Sequence, residues 1–162
     1  MPLRYKENIG TIKLGEIAYL SDPAFSTSDN WNCTMLMIPG DYMVFITRTQ
    51  SKMFNGTISN IYAINKEYYK YYKKRPQNDT EMLYCGAVSG YCGIFDADYF
   101  EQYHDNTGVD DDWFEDKIDG INEYAITDER GAVCFDGISM GKYKVYAEYS
   151  NGKAFAVRIN FF

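Results

Sequence analysis

The C-terminal stretch GKYKVYAEYSNGKAFAVRINFF constrains the fold most. Tyr143, Val145, Ala147 and Tyr149 alternate with Lys142, Lys144, Tyr146 and Glu148, and beyond Asn151-Gly152 the residues Phe155, Val157, Ile159 and Phe161 share one face. A period of two is that of a half-buried strand, and Asn-Gly favours the positive backbone dihedrals of a tight turn, so a β-hairpin is predicted here. An earlier segment echoes it: Gly40-x-Tyr42-x-Val44 matches Gly141-x-Tyr143-x-Val145. Its strand is expected to run to Thr49, turn at Phe54-Asn55-Gly56 and return over 58–65. A Gly-rich strand ending in Asp and an aromatic precedes each copy, GEIAYLSDPAF before the first and CGAVSGYCGIFDADYF before the second. The 162 residues therefore read as a single domain, either a degenerate duplication in two similar hairpin halves (about 10–65 and 83–162) or two hairpins of convergent pattern.

Two helices are predicted between the strands. Over 66–75 (KEYYKYYKKR), helical phasing puts Lys66, Lys70, Lys73 and Lys74 on one side and Tyr68, Tyr71 and Tyr72 on the other, with Arg75-Pro76 as the stop. From about 110 to 121, Trp113, Phe114, Ile118 and Ile121 share one face and Asp112, Glu115, Asp116 and Asp119 the opposite one. An aromatic share of 17% adds weight to strands and stacked rings. The expected class is α+β: a mostly antiparallel β-sheet or sandwich with two short amphipathic helices.

Charge is unevenly distributed. The chain holds 16 basic and 23 acidic residues, yet 13 acidic residues lie between Asp96 and Glu129 against Lys117 alone. Like charges at i, i+3, i+4 and i+7 cost a helix roughly 0.2–0.5 kcal/mol per pair. A stripe kept at that cost marks Asp110, Asp111, Asp112, Glu115, Asp116 and Asp119 as candidate partner-binding residues for a basic protein surface, such as that of a nucleic-acid-binding protein. The plainer alternative is a solvated face. The bulk acidity argues against direct nucleic-acid binding. Lysines interleaved with tyrosines over 66–75 suit single strands, but their phasing predicts buried tyrosines, solvated lysines and the acidic segment as a competing partner. No apolar run approaches a membrane span and MPLRYKENIG lacks an apolar signal core, so a cytoplasmic chain without a membrane partner is expected.

Reactive chemistry is weakly signalled. Gly137-Ile138-Ser139-Met140-Gly141 spells G-x-S-x-G, but a nucleophile elbow needs a helix after the serine, and KYKVY follows. His104 is the only histidine; it is expected at the end of a short helical turn, where the helix dipole favours an imidazolium. Cys33, Cys85, Cys92 and Cys134 form no C-x-x-C and are expected as reduced core thiols. With no export signal, the sequons at Asn32, Asn55 and Asn78 read as chance matches. Asp96 and Asp98, with Asp105 and the run Asp110–Asp112, could hold a hard cation through oxygens, but no ligand spacing selects them. No catalytic residue, metal ligand or cofactor is assigned. The turn Ser89, Gly90, Tyr91 and Gly93, among tyrosines, is a candidate small-molecule or nucleotide site.

Val88-Ser89-Gly90-Tyr91-Cys92-Gly93-Ile94-Phe95-Asp96, followed by Gly141-x-Tyr143-x-Val145…Gly152…Val157-x-Ile159-x-Phe161, resembles the bacterial and phage family called domain of unknown function 4241. That family has a central DSG-x-x-x-(F/I)-D stretch and a terminal G-x-Y-x-V hairpin; GEIAYLSDPAF is similar to the DP-x-(F/Y) opening of related small proteins. The likeness spans about two thirds of the chain, with Val88 where the family tends to have Asp. It implies an intracellular bacterial or phage origin and no particular activity. The functional expectation is a non-enzymatic cytoplasmic binding or inhibitor protein, of phage anti-defence or immunity type, with an acidic docking surface. A small-molecule or nucleotide-binding module is the alternative, and a metal-dependent hydrolase at Asp96/Asp98 the third.

Overall fold

The computed structural model describes residues 6–49, 56–76, 83–135 and 141–161. Its frame starts from the predicted hairpins. β10 (Gly141–Ser150) and β11 (Lys153–Asn160) pair antiparallel around Asn151 and Gly152, whose φ angles of 52° and 80° are those the Asn-Gly turn requires. β4 (Gly40–Arg48) and β5 (Ile58–Asn65) pair likewise. Of the predicted intervening turn, Phe54 and Asn55 lie outside the described residues. In both copies of G-x-Y-x-V the glycine has a φ that a side chain would strain, 151° at Gly40 and 157° at Gly141. Tyr42, Val44, Tyr143 and Val145 are all buried.

β5 joins β11, and β1 (Lys6–Leu14) and β6 (Leu83–Ala87) flank the two hairpins, giving a six-stranded antiparallel sheet in the order β1-β4-β5-β11-β10-β6. The second sheet has five strands, β2 (Ile17–Ser21), β3 (Cys33–Leu36), β7 (Tyr91–Asp96), β8 (Tyr124–Thr127) and β9 (Gly131–Phe135), in the order β3-β2-β7-β9-β8.

Period-two alternation then assigns each side chain to a layer. Tyr42, Val44 and Ile46 of β4, Tyr143 and Val145 of β10, Val157 and Ile159 of β11, and Cys92 and Ile94 of β7 fill one core between the sheets. The intervening residues Phe45, Tyr62 and Ile64 form a second cluster on the outward face of the six-stranded sheet. Phe95 and Val133 do the same on the outward face of the five-stranded sheet. The result is an α+β sandwich of antiparallel sheets with helical segments on both outer faces.

Three short helices occur among the described residues. α1 (Lys66–Tyr69) is a single turn capped by Asn65, whose side chain accepts from the Glu67 amide at 2.9 Å. The predicted ten-residue helix stops there because its rings dock separately on the sheet, Tyr69 against Phe45 and Tyr68 against Phe155, with centroids 5.5 and 4.4 Å apart. An isolated turn also costs more to nucleate than it returns. The predicted phasing consequently fails at Tyr71, which is 90% exposed among the lysines instead of buried. α2 (Ala97–Tyr103) follows β7 directly, capped by the Asp96 side chain. α3 (Asp111–Lys117) keeps its predicted phase, with Trp113 and Ile118 buried and Phe114 and Ile121 half-buried. α2 and α3 pack over the five-stranded sheet, whereas α1 packs over the six-stranded one. The basic and acidic segments therefore occupy opposite outer faces, and the expected competition between them does not arise.

Candidate functional site

α3 presents the acidic residues. Seven residues do not make a stable helix in water, so it is fixed by its ends and by one ring. The Asp110 carboxylate accepts from the Trp113 amide at 2.9 Å, an N-cap worth about 1 kcal/mol. The Trp113 indole N–H donates to Tyr99 Oη at 3.0 Å, and its ring stacks on Tyr103. With Trp113 and Ile118 facing inward, Asp110, Asp111, Asp112, Glu115, Asp116 and Asp119 are all exposed. The side chains of Asp111, Asp112, Glu115 and Asp119 have no hydrogen-bond or ion-pair partner among the described residues, whereas Asp116 lies 3.6 Å from Lys117.

The acidic segment does not form one patch in its entirety. Asp96 is buried and pairs with Arg130; Glu123 pairs with Arg48 at 2.9 Å, and Asp128 with Lys117 at 3.2 Å. Arg48 also binds Glu7 at 2.7 Å, which ties the edge strand β1 to β4 and to Glu123. What remains concentrated is the α3 stripe, with Asp98 and Glu101 exposed on α2.

Beside that stripe lies an aromatic surface that the sequence did not single out. Tyr91 meets Phe114 of α3 edge-on with centroids 6.2 Å apart, and Phe135 at 5.1 Å. Phe135 is 37% exposed and Val88, at the start of the same turn, 48% exposed. The outward alternation of Val133 and Phe135 on β9 was the available signal. Through the Tyr91–Phe114 contact, the acidic helix and the Ser89–Gly93 turn become neighbours on one face.

Within that turn, the polar groups are engaged by the protein. The Ser89 hydroxyl donates to Asp22 Oδ1 at 2.7 Å and accepts from the Tyr91 amide at 3.2 Å, while the Val88 and Ser89 amides both donate to Asp22 Oδ2 at 2.8 Å. Asp22 is fully buried and also accepts from the Ala24 amide at 2.8 Å. Gly90 lies against the Phe135 ring. A Cβ at Gly93 would come within 2.3 Å of the Ala132 carbonyl oxygen, so that glycine allows β7 and β9 to approach.

Other candidates are also used structurally. Asp96 accepts from the Gly15 amide at 2.7 Å and the Tyr99 amide at 3.3 Å, and binds the Arg130 guanidinium. Among the described residues no group of three or more His, Cys, Asp or Glu could hold a metal. His104 does end a short helix but is buried, with Nδ1 2.6 Å from the Phe100 carbonyl oxygen and Nε2 2.7 Å from that of Pro23. Burial lowers its pKa from 6.5, outweighing those carbonyls and the charges of Asp105 and Asp22, so the imidazolium expected from the helix dipole is disfavoured. Only one of the two carbonyl contacts is a hydrogen bond while the ring is neutral. All four cysteines are free and buried in the inter-sheet core, Cys85 and Cys92 with sulfurs 3.9 Å apart. Burial pushes the Cys33 thiol up to about 12, and the Cys85 contact together with burial raises that of Cys92. Residues 137–140 of the G-x-S-x-G match, and the sequons at Asn55 and Asn78, lie outside the described residues. Among the described residues no helix is long and apolar enough to cross a membrane.

No family model, curated protein or solved structure matches the chain.

Proposed function

We propose that the chain is a non-enzymatic binding protein that docks a basic protein surface through α3 and the adjoining rings of Tyr91, Phe114 and Phe135. The observation that carries this reading is the adjacency of exposed, unpartnered carboxylates to a partly exposed aromatic patch. Aromatic anchors surrounded by charge are the usual anatomy of a specific interface: rings supply desolvated contact, and rim charges steer the encounter and select the partner. An inhibitor or immunity-type protein of phage or bacterial origin, acting in the cytoplasm on a nucleic-acid-binding protein, is the form this reading takes. Its partner's cationic patch would meet α3 as it meets phosphates.

The test is affinity capture from host lysate at low salt, comparing the natural chain with Asp112→Lys/Glu115→Lys/Asp116→Lys. The reading expects a basic protein retained by the first, released by salt and absent from the second. Equal retention by both overturns it.

A further inference from the structure

The opposite face of the molecule has a different chemistry. On β10, Lys142 and Lys144 alternate with the buried Tyr143 and Val145, so both lysines project outward from the six-stranded sheet. Arg158 of β11 and Tyr146 of β10 are register partners on that same outward side, with the guanidinium 4.1 Å from the Tyr146 ring centre. The segment after α1 lies over this sheet, and Lys70, Tyr71, Tyr72, Lys73 and Lys74 line a cleft of about 390 Å³. Against these cations stand Glu67, 3.9 Å from Lys70, and Glu148, which accepts from the Tyr72 hydroxyl at 2.9 Å.

One feature is left unexplained by folding. Tyr71 is 90% exposed, although a tyrosine ring normally covers apolar surface. Arg158, by contrast, is only 6% exposed and is held by the protein, its guanidinium over the Tyr146 ring and hydrogen-bonded to that side chain.

We propose that this outward face of the six-stranded sheet binds single-stranded nucleic acid, independently of the acidic face. Lys70, Lys73, Lys74 and Lys144 would follow the phosphates, and Tyr71 would stack on an unpaired base. Single strands fit better than duplex because a protruding ring needs an unstacked base, and stacking tolerates any sequence. The helical phasing that spoke against this ligand required Tyr71 to be buried.

The test is fluorescence anisotropy of a labelled oligodeoxythymidylate of about twelve nucleotides with the full chain. Binding is expected to weaken with salt at a log–log slope of about −2 to −3, as three or four phosphate contacts on a single strand give. Tyr71→Ala lowers affinity at least about five-fold with an unchanged melting temperature, and Tyr71→Phe, which keeps the ring, preserves it. Lys73→Glu/Lys74→Glu abolishes binding, whereas Glu115→Lys on the other face does not weaken it. No binding at low salt, binding indifferent to Tyr71→Ala, or binding to phosphatidylserine vesicles without binding to the oligonucleotide overturns the proposal.

Discussion

Asp22 and Asp96 hold each other's turns. Asp22, just past the end of β2, accepts from the Val88 and Ser89 amides in the turn that leads into β7. Asp96, the last residue of β7, accepts from the Gly15 amide in the turn that leads into β2. Because β2 and β7 run antiparallel, each carboxylate sits beside the start of the other's strand. Each thereby satisfies turn amides that neither sheet pairs.

Removing either carboxylate therefore strands several donors at once. Asp22→Ala is expected to cost at least about 3 kcal/mol in urea denaturation. Asp22→Asn does not rescue it, because an amide nitrogen replaces an oxygen that faces N–H donors. Asp96→Ala also frees Arg130. The two sites share no partner, so the double variant should show the sum of the single losses within about 0.5 kcal/mol; a smaller loss would mean that the turns act as one unit.

Alternation around Asn151-Gly152 revealed the C-terminal hairpin, since a half-buried strand writes its burial into every second residue, and the echo of its G-x-Y-x-V at Gly40–Val44 pointed to the other, whose returning strand β5 is buried at nearly every position. α3 was legible for the analogous reason, Phe114, Ile118 and Ile121 recurring at i, i+4 and i+7 beside Trp113. α1 was misjudged because phasing carries no information about the rings of a sheet face, and Phe45 and Phe155 drew Tyr69 and Tyr68 out of a regular helix. α2 was seen only at its end, by His104, because Phe95 and Asp96 belong to the strand and the capping role of Asp96 was not read. The acidic stripe was visible as composition. Its aromatic neighbour Phe135, and the engagement of Ser89 by Asp22, depend on contacts between residues far apart in the chain.

The thiols should be silent in the folded protein. Burial holds Cys33 protonated up to about 12, and Cys92 is raised as well, so little thiolate is available to attack a reagent. Ellman's reagent at about pH 8 is expected to titrate almost none of the four cysteines natively and all of them in denaturant. Rapid reaction of one thiol in the native state would contradict the packed inter-sheet core.

His104 gives stability a pH dependence of known sign. Its folded pKa lies below 6.5, so the unfolded chain takes up the proton first. Its contribution is complete above about pH 6.5 and is lost as pH falls through the folded value. The urea midpoint should therefore decline on mild acidification more steeply for the natural chain than for His104→Gln. Parallel declines would show that the ring is not buried as a neutral group.

Gly93 distinguishes a packing role from a ligand-contacting one. Gly93→Ala is expected to destabilise the protein by about 1–3 kcal/mol, because its Cβ meets the backbone of β9. Urea denaturation without any added small molecule checks this; an unchanged midpoint would return Gly93 to the ligand-binding reading.

The acidic and aromatic parts of the docking face are separable in one titration. Isothermal titration of the captured basic partner, repeated over a range of salt, compares the natural chain with Glu115→Lys and Phe135→Ala. The account predicts that Glu115→Lys flattens the salt dependence and that Phe135→Ala weakens binding about ten-fold at every salt concentration. An affinity that ignores salt and both substitutions would contradict it.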